Sequence, residues 1–68
     1  MIALTITGRP VTLEAPTPLL GYLAGIGVDP RAVAVELNER ILDRDDFASA
    51  VLAEGDRVEI VRMVGGGS

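Results

Sequence analysis

The stretch Arg57-Val58-Glu59-Ile60-Val61-Arg62-Met63-Val64, running straight into Gly65-Gly66-Gly67-Ser68, decides how this chain is read. At strand period two, Val58 and Ile60 share one face, and Val61 and Met63 share the other. The first pair is expected in a core. Arg62 comes next on that face, and a core rejects an unpaired guanidinium, so the strand is expected to leave the body by Arg62. Val61 and Met63 are then exposed, either as ordinary surface apolar residues or as a docking patch for partner proteins. Glu54-Gly55-Asp56 is the turn that leads in.

The chain opens on a second strand of the same kind. In Met1-Ile2-Ala3-Leu4-Thr5-Ile6-Thr7 the residues Ile2, Leu4 and Ile6 alternate with Ala3, Thr5 and Thr7. Gly8-Arg9-Pro10 is expected to turn, and Val11 to Glu14 to return as the other arm of an antiparallel hairpin. Thr17 suits a helix N-cap and Pro18 the first helical position. The helix then carries Leu19, Leu23 and Ile26 on one face and stops at Gly27, with Pro30 beyond it. Arg31 to Asn38 reads as a third strand with Val33, Val35 and Leu37 inward. Asn38-Glu39-Arg40 turns into a short Ile41-Leu42 segment, Asp45 caps a single helical turn through Phe47, and Val51 and Leu52 return to the core. Asp43, Asp45, Asp46, Glu54 and Asp56 are expected to form a solvated acidic rim.

The order is ββ–helix–β–β–helical turn–β. It predicts an α+β fold: a mixed four- to five-stranded sheet, one main helix, and first and last strands as parallel central neighbours. That is a β-grasp, or ubiquitin-like, roll, with a body over 1–64 and a flexible glycine tail over 65–68.

Composition removes most chemistry. The 68 residues include six arginines and ten acidic residues, for a net charge of −4, and no Lys, His, Cys or Trp. Disulfides and thiolate or Schiff-base nucleophiles are therefore out of reach, and a structural zinc is nearly so. Without His, no side chain titrates near neutrality unperturbed. The acidic balance argues against nucleic acid and anionic membranes as partners. The apolar start lacks a basic region, so it does not read as a signal peptide, and a cytoplasmic protein is expected. An autonomous enzyme is not.

The tail has two readings. Gly-Gly-Gly-Ser has the composition of a flexible linker or a cloning remnant. It also suits a chemical handle. Glycine backbone threads a channel too narrow for a Cβ, and four extended residues reach roughly 13 Å. A terminal carboxylate becomes electrophilic once converted to an acyl-adenylate, and sulfide attack then gives a thiocarboxylate.

The residues Val35-Glu36-Leu37-Asn38-Glu39-Arg40-Ile41-Leu42-Asp43-Arg44, with Gly55-Asp56-Arg57-Val58-Glu59-Ile60-Val61 and Met63-Val64-Gly65-Gly66-Gly67, resemble the bacterial thiamine-biosynthesis sulfur carriers, ThiS. The resemblance spans essentially the whole chain. It departs at Asp43, where the family commonly has Pro, and at Ser68, which follows the position of the family's terminal glycine.

The resemblance implies a carrier rather than a catalyst. A ThiF-like adenylating enzyme would activate Gly67 with ATP, Gly65 and Gly66 would thread its channel, and sulfur would arrive by a cysteine desulfurase route. The thiocarboxylate would then serve thiazole synthase in building the thiazole of thiamine. No cofactor would be bound by the chain itself, and Ser68, if native, would have to be removed first. Partner docking would fall to Val61, Arg62, Met63 and Val64. The tail also resembles that of the small subunit of molybdopterin synthase, of tRNA-thiolation carriers and of prokaryotic ubiquitin-like modifiers, which are alternatives, as is a β-grasp interaction module with an inert tail.

Overall fold

Two strands from opposite ends of the chain run side by side at the middle of the sheet. The computed structural model describes residues 1–63. Strand β1 (Ile2–Ile6) pairs in parallel with β7 (Arg57–Arg62), matching Thr5 to Arg57 and Ile6 to Val58. Outside β1 lies β2 (Arg9–Leu13), and outside β7 lie β4 (Val33–Leu37) and β5 (Arg40–Ile41). The five-stranded order β2-β1-β7-β4-β5 is the expected β-grasp arrangement. A second, two-stranded ladder joins β3 (Thr17–Pro18) to β6 (Val51–Leu52).

The core lies between one face of this sheet and helix α1 (Leu19–Gly25). Ile2, Leu4 and Ile6 of β1, Val33 and Val35 of β4 and Val58 of β7 are buried against Leu19 and Leu23. Phe47, from the short helix α2 (Arg44–Phe47), and Leu52 close the far side.

Several local expectations give way to tighter geometry. The first hairpin turns on Thr7 and Gly8, not on Gly8 to Pro10. Both residues have positive φ, 49° and 78°, as a two-residue type I′ turn requires. Arg9 and Pro10 therefore belong to β2, where Pro10 is tolerated because β2 is an edge strand.

Thr17 does not cap α1: its hydroxyl donates to the Ala15 carbonyl at 2.8 Å. Pro18 occupies the cap position without a side-chain cap, and the Leu19 N–H donates instead to the Ala50 carbonyl at 2.9 Å. The helix start is thus held by the chain entering β6.

Gly27 does stop the helix, with φ of 75°. The Gly27 N–H donates to the Ala24 carbonyl and the Val28 N–H to the Leu23 carbonyl, the paired bonds of a Schellman end. Val28 thereby packs against the core, while Ile26, expected on the buried face, is half exposed.

Arg31 and Ala32 fall in a 3-10 turn, Pro30–Ala32, rather than in β4. Asp43, not Asp45, is the N-cap of α2, and its own N–H donates to Asp46 Oδ2 at 3.4 Å. The Asp43 backbone is extended, as an N-cap position requires. Leu52 is buried, but Val51 is 48% exposed.

The acidic rim is only partly a rim. Glu54 Oε1 accepts from the Ala3 N–H at 2.9 Å, and Asp56 Oδ2 accepts from the Ala53 N–H at 2.8 Å. These carboxylates anchor the turn that launches β7.

Candidate functional site

The site is built around the last strand. The β4–β7 ladder pairs Val33 with Arg62, Ala34 with Val61, Val35 with Ile60, Glu36 with Glu59 and Leu37 with Val58. It does not fray at Arg62 as the sequence suggests: the Met63 N–H still donates to the Ala32 carbonyl at 2.8 Å. Backbone hydrogen bonds outlast side-chain burial, because the ladder needs no apolar face. On the other flank the Ile60 N–H donates to the Thr7 hydroxyl at 3.2 Å. Strand β7 therefore holds its direction up to the last described residue.

Its launch is fixed as firmly. Asn38 and Glu39 both have positive φ, 53° and 70°. Asn is among the residues that enter this region most readily, and its side chain secures the turn. Asn38 Oδ1 accepts from the Arg57 N–H at 2.9 Å, and its Nδ2 donates to Asp56 Oδ1 at 3.1 Å. The β4–β5 turn and the start of β7 are thus tied together.

Alternation along β7 then sorts the expected docking residues. Val61 and Met63 lie on the open face of the sheet, 58% and 44% exposed. Arg62 lies on the opposite face, toward the helix, so these three residues do not form one patch. Val64, Gly65, Gly66, Gly67 and Ser68 lie outside the described residues.

The open face adds residues that sequence reading missed. Ile41 of β5 is 72% exposed and lines a cleft of about 90 Å³ with Ala34, Glu36, Glu59 and Val61. The register puts Glu36 opposite Ile41 on one side and opposite Glu59 on the other. Two carboxylates thus face each other across neighbouring strands, an arrangement that costs stability. Arg57, on the same face, pairs at 3.4 Å with Glu39, not with either of them. The signal was available in principle: Ile41 follows a turn by two residues, which fixes its parity with Glu36. The open face therefore offers an apolar group, Ile41, Val61 and Met63, beside an acidic one, Glu36 and Glu59. Such a face is complementary to a surface that is apolar and basic. Among the described residues no cluster of acidic side chains is arranged to hold a metal ion.

Comparison with known proteins agrees with this geometry. The family model for the ThiS family matches residues 4–67. A thiazole synthase of Magnetococcus marinus is 42% identical over 62 residues, covering 91% of this chain and 19% of that protein. The chain thus spans about a fifth of the length of that relative. The uncharacterized protein ycf40 of Pyropia yezoensis is 35% identical over 66 residues, covering 97% of this chain and 93% of that one. The crystal structure of the thiamine biosynthesis protein (ThiS) from Geobacter metallireducens superposes with a TM-score of 0.81 at 30% identity. It covers 97% of this chain and 100% of its own. With the family model spanning nearly its whole length and a β-grasp neighbour at full coverage, this chain is a member of the ThiS family.

Proposed function

We propose that the chain is a sulfur carrier whose Gly67 carboxylate is adenylated and then converted to a thiocarboxylate for thiazole synthesis. Membership of the ThiS family over residues 4–67, a match that ends on Gly67, is the observation that carries this reading. In the first step a carboxylate oxygen attacks the α-phosphorus of ATP and pyrophosphate leaves. In the second, hydrosulfide attacks the acyl carbon, AMP leaves and a proton is released. The ATP site and the acid–base groups belong to a ThiF-like adenylating enzyme, and the sulfur comes by a cysteine desulfurase route as a protein persulfide, from which a second thiol releases hydrosulfide and is itself oxidised to the disulfide. Thiazole synthase then receives the sulfur. Its likeness to a segment of the Magnetococcus thiazole synthase supports that partner. Within this scheme the body docks through Ile41, Val61 and Met63, and Gly65 and Gly66 thread the enzyme's channel.

Intact mass after incubation with ATP, a ThiF-like enzyme and a sulfide source tests the reading. A chain ending at Gly67 gains the mass of one oxygen exchanged for one sulfur, and the 68-residue chain gains nothing. Equal conversion of both chains would place the reactive carbonyl elsewhere, and no conversion of the shorter chain would favour an inert interaction module.

A further inference from the structure

The helix is too short for the sheet it covers. Seven residues of α1 span roughly 10 Å, while strands of five or six residues run to about 17–20 Å. The Schellman end at Gly27 stops the cover early and leaves the far end of the sheet open on the helix side. The opening is a groove of about 410 Å³. Its floor includes Ile6, Val33 and Ile60, Tyr22 stands at the helix wall, and Arg9 and Arg62 stand at its rim. Both arginines are exposed, and among the described residues neither pairs with a carboxylate. Two of the six cations of a chain with net charge −4 thus border a single apolar opening.

The geometry points to this groove as a recognition site for a partner-protein segment that carries an apolar side chain flanked by carboxylates. The floor takes the apolar group by excluding water from it. The guanidiniums take the carboxylates, which they match as planar forked donors. Charge complementarity selects this occupant, because a basic segment would be repelled at the rim while the open face would attract it. The groove also adjoins the exit of β7, since Arg62 is the last residue of that strand. A partner receiving the tail meets the groove on one side of the strand and the Ile41–Val61 patch on the other. Naming that partner as the tail's recipient rests on the carrier reading; the groove's chemistry does not.

A 15N-labelled chain titrated with the amidated, acetylated peptide Asp-Leu-Val-Asp tests the inference. Amide shifts are expected at Ile6, Arg9, Tyr22 and Arg62, and not at Ile41 or Val61. Arg9→Glu with Arg62→Glu weakens binding about tenfold or more, and the peptide with Lys in place of both Asp does not bind. Arg9→Gln with Arg62→Gln serves if the charge reversal disturbs folding. Absence of groove shifts at about 1 mM peptide, binding indifferent to the arginines, or the same shifts from inorganic phosphate alone would overturn it. The peptide undergoes no adenylation, so its failure leaves the mass-shift result standing, and a failed mass shift leaves the groove result standing.

Discussion

The two faces of β7 obey opposite rules within six residues. On the helix side burial declines along the strand, from Val58 fully buried, through Ile60 half-buried, to Arg62 exposed. On the open side there is no core to decline from, and apolar exposure gathers at the strand's end in Val61 and Met63. The charges differ as well. The open face carries opposed carboxylates at Glu36 and Glu59, and the helix side ends on a guanidinium at Arg62. One strand thus builds the core with its first half and presents two chemically different surfaces with its second.

That contrast breaks most directly at Val58. Val58→Asp buries an uncompensated carboxylate in the core, at a cost of several kcal/mol. The domain is expected to lose its cooperative thermal transition; a native melting curve would mean that the helix-side burial is wrong. The same replacement three residues on, Val61→Asp, leaves stability within about 0.5 kcal/mol. On the proposed carrier reading it weakens binding of a ThiF-like adenylating enzyme about tenfold or more, because a charge would enter the apolar part of the contact. Unfolding of this variant would merge the two faces and remove the distinction.

A smaller effect sharpens the open face. Glu36→Gln relieves the like-charge pair with Glu59 and is expected to stabilise the domain by a few tenths of a kcal/mol in urea unfolding. On the carrier reading, binding of a ThiF-like enzyme weakens at the same time, if the pair is retained for a basic partner. Stabilisation with unchanged binding would make the pair incidental.

The smallest effect comes from Asp29, which belongs to neither face. A side-chain hydrogen bond from Arg31, reinforced by the Arg31 N–H, holds its carboxyl below the ordinary value of 3.8. Its contribution is present above the unfolded-state value and is lost as the pH falls through the lower folded-state one. Asp29→Asn therefore flattens only the acid limb of a stability–pH profile, and only slightly, because both side chains of the pair are solvent-exposed.

Alternation made the large elements legible. Ile2, Leu4 and Ile6, then Val33 and Val35, then Val58 are period-two runs whose buried faces have no other solution. The parallel neighbourhood of β1 and β7 followed from the element order. Elements whose partners are distant in sequence were harder to read. Thr17 and Pro18 look like a helix start, and only the arrival of Val51 and Leu52 makes them a strand. Thr7 gave no warning of its positive φ, because threonine seldom adopts it; the two-residue register of the hairpin imposes it. At the site, Val61 and Met63 were legible as exposed by parity alone. The parity of Ile41 with Glu36 was legible only once the turn was known to hold just Asn38 and Glu39, and the meeting of Glu36 with Glu59 was not, since it depends on inter-strand register. The groove was invisible for a related reason: it is an absence of cover, set by where the helix stops relative to strands elsewhere in the chain.

The final hydrogen bond of β7, from Met63 to Ala32, has a mechanical consequence. The strand is flanked by β1 on one side and β4 on the other, with its axis pointing out through its own end. Tension applied at Met63 along the strand axis loads both ladders in shear, so their bonds share the force instead of peeling apart one by one. Force along that axis meets the strongest direction the sheet possesses, and the body can stay folded under it.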